Sequence, residues 1–164
     1  MLQALHRRGG CLSGTIRLST GRGIAALAGR RLARRLGLPL QREHCAFTVQ
    51  IAHEAAALLW QRRFGDGAPM ISRFVPYGSF PDGGWYEQTG PLQLDLGVDI
   101  GDGGWHWRLR GARWHGLPLP TLLLPRTEAG KRIVDGRYVF VVDFRLPLFG
   151  RVLRYEGTLD AEPL

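Results

Sequence analysis

The chain has 164 residues, 45% apolar, 10% aromatic and 22% charged, which is enough for one globular domain with its own core and excludes a disordered or collagen-like chain. Lys and Arg number 22 against 14 Asp and Glu, a formal charge of +8, an excess that a metabolic enzyme with no polyanionic partner does not need. The excess is local: residues 1–42 contain nine arginines and no acid, whereas residues 43–164 are close to neutral.

Cys11 and Cys45 have neither a CxxC nor a metal-type spacing, so they read as reduced thiols. No apolar run approaches the ~18 residues of a membrane span. Residues 1–10 lack the continuous apolar stretch of a secretory signal, and the expected location is the cytoplasm. The Arg-rich opening matches a mitochondrial presequence in composition, but it reads as part of the fold.

In chain order, residues 1–9 read as a flexible arm. Residues 22–36 read as a basic amphipathic helix: Ile24, Leu27, Ala28, Leu32 and Leu36 recur at steps of three and four, Ser19 or Thr20 can cap its start, and Gly37 and Pro39 stop it. Residues 45–159 read as an antiparallel β body. Residues 54–64 are good helix formers, yet they follow the strand-like 47–51, and Leu58, Trp60, Arg62 and Phe64 share one parity; a hairpin is the expectation. Weaker strands fall at 70–75 and 85–88. From Leu92 to Ile100 every even position is apolar and every odd one polar or glycine, the period of a half-buried strand. The turn 101–104 follows, and Trp105, Trp107 and Leu109 restart the alternation as the second arm of a hairpin. The three prolines between Gly116 and Pro125 exclude a helix or central strand there and suggest a packed loop closing one end of the sheet. Tyr138, Phe140, Val142, Phe144 and Leu146 form another apolar face, and Leu153, Tyr155 and Leu159 a shorter one. Strands following strands give a mainly β fold, a curved antiparallel sheet closed into a barrel or sandwich, with one N-terminal amphipathic helix against it or across its end.

The ordered set Trp60-Gln61-Arg62-Arg63-Phe64-Gly65, Ser72, Glu87-Gln88-Thr89-Gly90-Pro91, Gly116-Leu117-Pro118-Leu119-Pro120, Asp135-Gly136-Arg137-Tyr138-Val139-Phe140 and Pro147-Leu148-Phe149-Gly150 through Tyr155-Glu156-Gly157 resembles the bacterial domain of unknown function four-one-six-six. The resemblance runs roughly from Gly10 to Leu159. It implies a domain that occurs alone or fused to saccharopine-dehydrogenase-like or membrane proteins, and hence an accessory, metabolite-sensing role rather than a known reaction.

Several motifs have structural readings that compete with functional ones. Gly21-Arg22-Gly23-Ile24-Ala25-Ala26 fits the G-x-G-x-x-A form of a dinucleotide fingerprint, but the strand before it is short and polar and no further βαβ unit follows. The glycines are better read as the turn into the helix. Arg30, Arg31, Arg34 and Arg35 on one helix face suit an anionic membrane, a polyanion or an acidic protein; residues 1–42 contain no aromatic residue for base stacking, so specific nucleic-acid binding is not expected. The five histidines show no ligand spacing and the serines no nucleophile elbow. No metal, cofactor or catalytic residue is assigned.

More informative are cations in phase with aromatic faces. Arg62 alternates with Trp60 and Phe64, and Arg113 is in phase with Trp105, Trp107 and Leu109 if no bulge intervenes. An inward arginine in a dry core needs a carboxylate, carbonyl, water or anionic ligand, and Glu87, in phase with Trp85, is the partner expected, with Tyr155 nearby. The resulting expectation is a non-catalytic domain binding a small apolar ligand with an anionic group, at a site of Arg62, Glu87, Arg113, Tyr155, Trp60 and Trp107, in a cavity of roughly 300 Å³ or more. An enzyme using Glu87 as acid or base is the alternative, and an adaptor for anionic surfaces through the helix arginines the third reading.

Overall fold

The computed structural model describes residues 2–79, 81–101, 103–120, 124 and 126–164. Its strands are β1 (Gly10–Thr20), β2 (His44–Glu54), β3 (Ala57–Phe64), β4 (Met70–Tyr77), β5 (Gly84–Thr89), β6 (Leu92–Gly101), β7 (Gly104–Trp114), the two-residue β8 (Leu117–Pro118), β9 (Arg126–Val134), β10 (Arg137–Leu146) and β11 (Gly150–Pro163). All pairings are antiparallel. Each strand pairs with its sequence neighbour, except that β7 reaches past β8 to β9, and β1 pairs with β11. All strands but β8 therefore close into a ten-stranded meander barrel. Asp135 and Gly136, both at positive φ, make the two-residue turn that the β9–β10 hairpin requires.

Alternation puts Phe47, Trp60, Phe64, Phe74, Phe140, Leu153 and Leu159 inside, each 7% exposed or less. Residues 54–64 form the expected hairpin, turning at Ala55 with φ 49, and the alternating runs at 92–100 and 138–146 are strands as read. β1 is longer than the short strand read before Gly21, and it is antiparallel to both neighbours; the glycines after it turn the chain into a helix and open no βαβ unit.

Among the described residues two helices are present rather than one. The stretch read as a flexible arm contains α1 (Leu2–Arg8), because Leu5 packs wholly inside and His6 lies against Trp105 and Trp60, at ring-centroid distances of 4.3 and 5.6 Å. α2 (Gly23–Arg35) is the expected basic helix, but its capping and buried face differ. Arg22 stands at its N-cap with no side-chain cap, so neither Ser19 nor Thr20 serves. Its buried stripe is Ala25, Gly29 and Ala33, small residues at i, i+4 and i+8 that let the helix approach β11 closely: a Cβ at Gly29 would lie 2.1 Å from the Val152 carbonyl oxygen. Leu32 and Leu36 reach the barrel interior, whereas Ile24 and Leu27, expected inside, are 66% and 61% exposed.

A bulge overturns the inward placement of Arg113. Asp95 pairs with Gly111 and Leu96 with Leu109, leaving Arg110 as an extra residue in β7. The parity flips there: Trp105, Trp107 and Leu109 face inward before it, Ala112 is buried after it, and Arg113 is exposed. Arg110 itself folds over Gly97 and donates to the Tyr77 hydroxyl and the Asp82 carbonyl at 3.3 and 3.1 Å. Of the proline-rich stretch, Leu117 is 71% exposed rather than packed; residues 121–123 and 125 lie outside the described residues, as does Asp102 of the turn 101–104.

Candidate functional site

The barrel interior holds a cavity of about 190 Å³, smaller than the size expected from the sequence. Leu32 of α2 and Leu36, just past its end, line it, together with Leu94, Leu109, Phe144 and other apolar side chains, and Trp60, Arg62, Glu87, Trp107, Lys131 and Tyr155 supply its polar and aromatic part. β7 and β9 pair only over Gly104–Trp107 and 129–132. Beyond that the strands diverge, and the crevice between them shares Trp107, Leu109, Thr127 and Ala129 with the cavity.

Arg62, two residues beyond Trp60 on the same face of β3, points inward as expected. Its Nη2 donates to Glu87 Oε1 at 2.6 Å, with the two side chains 15% and 13% exposed. It also donates to Ser72 Oγ, which is linked to Thr89, and Thr89 donates to Glu87 at 3.4 Å. Burial works against the Arg62 charge, but Glu87 and Tyr155 outweigh it and hold the pKa above the ordinary guanidinium value. Burial likewise pushes the Tyr155 hydroxyl up, with Arg62 opposing. The ion pair is closed and ties up Glu87, which weighs against its use as a free acid or base. Arg62, Glu87, Tyr155, Trp60 and Trp107 are thus brought together, and Arg113 is not.

Lys131 is the residue that the pattern reading missed. It lies on β9, 9% exposed, with Nζ 3.7 Å from the centre of the Trp60 ring and 5.2 and 5.4 Å from those of Trp105 and Trp107. Burial drives its pKa well below the ordinary lysine value and the Arg62 charge adds to this, while Glu87 opposes. Among the described residues Lys131 Nζ, Arg62 Nε, Trp60 Nε1 and Trp105 Nε1 are buried donors with no hydrogen-bond acceptor. The signal that could have found Lys131 is compositional: it is the sole lysine in the sequence, beside 21 arginines.

The family model described as Domain of unknown function (DUF4166) matches residues 1–159. The chain belongs to that family. No curated protein matches the chain, and no solved structure does. For this DUF4166 domain, the chemistry must therefore be argued from its own side chains.

Two other features of the domain bear charge. Asp143 on β10, fully buried, accepts hydrogen bonds from Arg145 and Arg151, with Arg154 at 3.5 Å. Burial alone would raise its pKa; the hydrogen bonds from Arg151 and Arg145 reverse this and hold it low. Arg30, Arg31, Arg34 and Arg35 of α2 are all exposed, and Arg35 lies over the Trp114 ring at 5.8 Å. Among the described residues no group of three or more His, Cys, Asp or Glu is placed to hold a metal ion, and no helix is long and apolar enough to cross a membrane.

Proposed function

We propose that the barrel is a binding domain for a small apolar ligand bearing an anionic group, with the apolar body among the cavity leucines and phenylalanines and the anion at Lys131 and Arg62. The observation that carries this is the group of four buried donors without an acceptor. Leaving a buried polar group unpaired costs about 1 to 3 kcal/mol, and more for a charged one; three of the four donors, on Trp60, Arg62 and Lys131, belong to residues that line the cavity, which favours an acceptor-rich ligand. The charge balance agrees: Glu87 neutralises Arg62, and Lys131 has no carboxylate of its own. A cavity of about 150 Å³ accepts benzene, so 190 Å³ suits a short-chain or single-ring carboxylate. The free thiols of Cys11 and Cys45 favour a reducing, cytoplasmic setting.

Titration of the full chain with hexanoate and with hexanol, followed by tryptophan fluorescence, tests the reading. Hexanoate is expected to bind at least about tenfold more tightly than hexanol, a margin of about 1.4 kcal/mol, with that preference lost in Lys131→Met. Indifference to both compounds, or equal binding of both, would overturn it.

A second reading assigns α2 to an anionic membrane surface. Exposed Ile24 and Leu27 beside four exposed arginines favour it, since apolar contacts and cations together are what an anionic bilayer surface attracts.

A further inference from the structure

The sequence has 22 basic side chains, and 21 of them are arginine. Arginine serves at every surface position where a cation is wanted, and also at the buried position 62. The single exception is the buried cation beside the cavity. Arginine and lysine differ most in one respect: a guanidinium stays protonated at any accessible pH, whereas an amine can lose its proton and become a nucleophile, most readily when desolvated or beside another cation.

We infer that Lys131 captures carbonyl compounds covalently, as an imine, and that the ligand class is a small apolar oxo acid. The inference rests on the binding reading above and specifies its ligand. Lys131 Nζ accepts no competing claim, since no hydrogen-bond acceptor holds it. Lys131 lines a cavity able to take a molecule of this size. Arg62, whose Nε is also buried without an acceptor, lines the same cavity, so the acid group is assigned to it and the carbonyl to Lys131. The surroundings also suit the amine, because burial and the Arg62 charge both favour its neutral form. In the step itself Nζ forms a bond to the carbonyl carbon as the C=O π bond breaks. The amine's two hydrogens leave with the carbonyl oxygen as water, giving Lys–N=C. Protonation turns this into an iminium, and the faces of Trp60, Trp105 and Trp107 around the nitrogen stabilise such a cation. A purely structural role explains these facts less well, since an apolar side chain of similar length would fill the same space without burying an amine that has no acceptor.

The test uses the full chain with 2-oxohexanoate, 3-oxohexanoate and 5-oxohexanoate, which differ in the distance from carboxylate to carbonyl. Each is incubated with sodium cyanoborohydride, which reduces an imine to a stable secondary amine. Intact-mass and peptide analysis should find one adduct per chain on the peptide containing Lys131 for at least one compound. Hexanoate in excess should suppress it at least about tenfold by occupying the same site. Labelling should reach half its maximal rate at a pH well below the ~10.4 of an ordinary lysine. Lys131→Arg, checked for folding by circular dichroism, should give none. If the oxo acids quench tryptophan fluorescence and compete with hexanoate but leave Lys131 unmodified, the covalent inference falls and the binding reading stands. If they neither quench nor label while hexanoate binds, the oxo acid class is wrong. If neither they nor hexanoate binds, both readings fall.

Discussion

The side-chain nitrogen of Lys131 stands 3.7 Å from the centre of the Trp60 ring, and no side-chain or backbone acceptor among the described residues completes its coordination. Ring faces recover only part of the cost of burying this charge. Lys131→Met should therefore hold or raise stability, by up to about 2 kcal/mol in urea unfolding at pH 7, while abolishing ligand selectivity. The sign of the pH dependence follows from the lowered folded pKa. Between that value and the ordinary ~10.4, the unfolded chain binds a proton that the folded one does not, so wild-type stability rises with pH there. The stability difference from Lys131→Met should shrink across this window by as much as about 1.4 kcal/mol per pH unit. A constant difference from pH 6 to 10 would contradict it.

Glu87→Gln leaves Arg62 charged, buried and without a counter-ion beside Lys131. Destabilisation of about 3 to 5 kcal/mol is expected, while Arg62→Met paired with Glu87→Gln should recover most of the loss. Chemical denaturation of the two variants measures this, and a loss under 1 kcal/mol in the single variant would count against the closed ion pair.

Asp143 holds three arginines of β10 and β11 on the barrel's outer face. Its folded pKa lies below the unfolded value of about 3.9, so its contribution is present above that pH and lost as pH falls through the folded value. Asp143→Asn should cost about 2 to 3 kcal/mol at pH 7, less than a fully buried pair because Arg145 and Arg151 are partly exposed. The gap from wild type should narrow as unfolding is measured at decreasing pH below 4.

Gly29→Ala sets propensity against packing. Helix propensity alone favours alanine by about 1 kcal/mol, but the added carbon would meet the Val152 carbonyl at 2.1 Å, a backbone atom that cannot turn aside. Net destabilisation of about 1 to 3 kcal/mol is expected, and a rise in thermal midpoint would show that α2 does not lie so close to β11.

Replacing Arg30, Arg31, Arg34 and Arg35 by Gln tests the membrane reading. Sedimentation with vesicles of mixed anionic and neutral lipid should fall to the level seen with neutral vesicles, and wild-type binding should weaken between 50 and 500 mM salt. Wild-type binding indifferent to salt and lipid charge would remove that reading.

How far the fold was legible depended on what each strand faces. β6 alternates from Leu92 to Ile100 in a half-buried strand's pattern, whereas β10 shows its inward face through Tyr138, Phe140, Val142 and Phe144 although Val139 and Val141 stand on the other side. β9 escaped notice because its inward positions Thr127, Ala129 and Lys131, which border the cavity, are small or polar, leaving Ile133 as the one large apolar residue on its inward face. The Arg62–Glu87 pair was legible from parity alone. Arg113 was not, since an inserted residue reverses parity without a signature beyond Gly97 and Gly111. The buried stripe of α2 was hidden for a related reason: Ala25, Gly29 and Ala33 are chosen for smallness, and a search for large apolar residues favours the side that carries Ile24 and Leu27.

The β1–β11 seam pairs Gly10 with Pro163 and Thr20 with Leu153, contacts separated by nearly the whole length of the sequence. Such a seam can form only after the ribosome has delivered every intervening strand, and the loop it closes is the entropically most demanding in the molecule. Until then β1 and β11 are both open edges available to neighbouring chains. The interior with Lys131 and Arg62 is thus completed late in folding, and a ligand that fits it would act as a fastener, slowing the reopening of the last two strands.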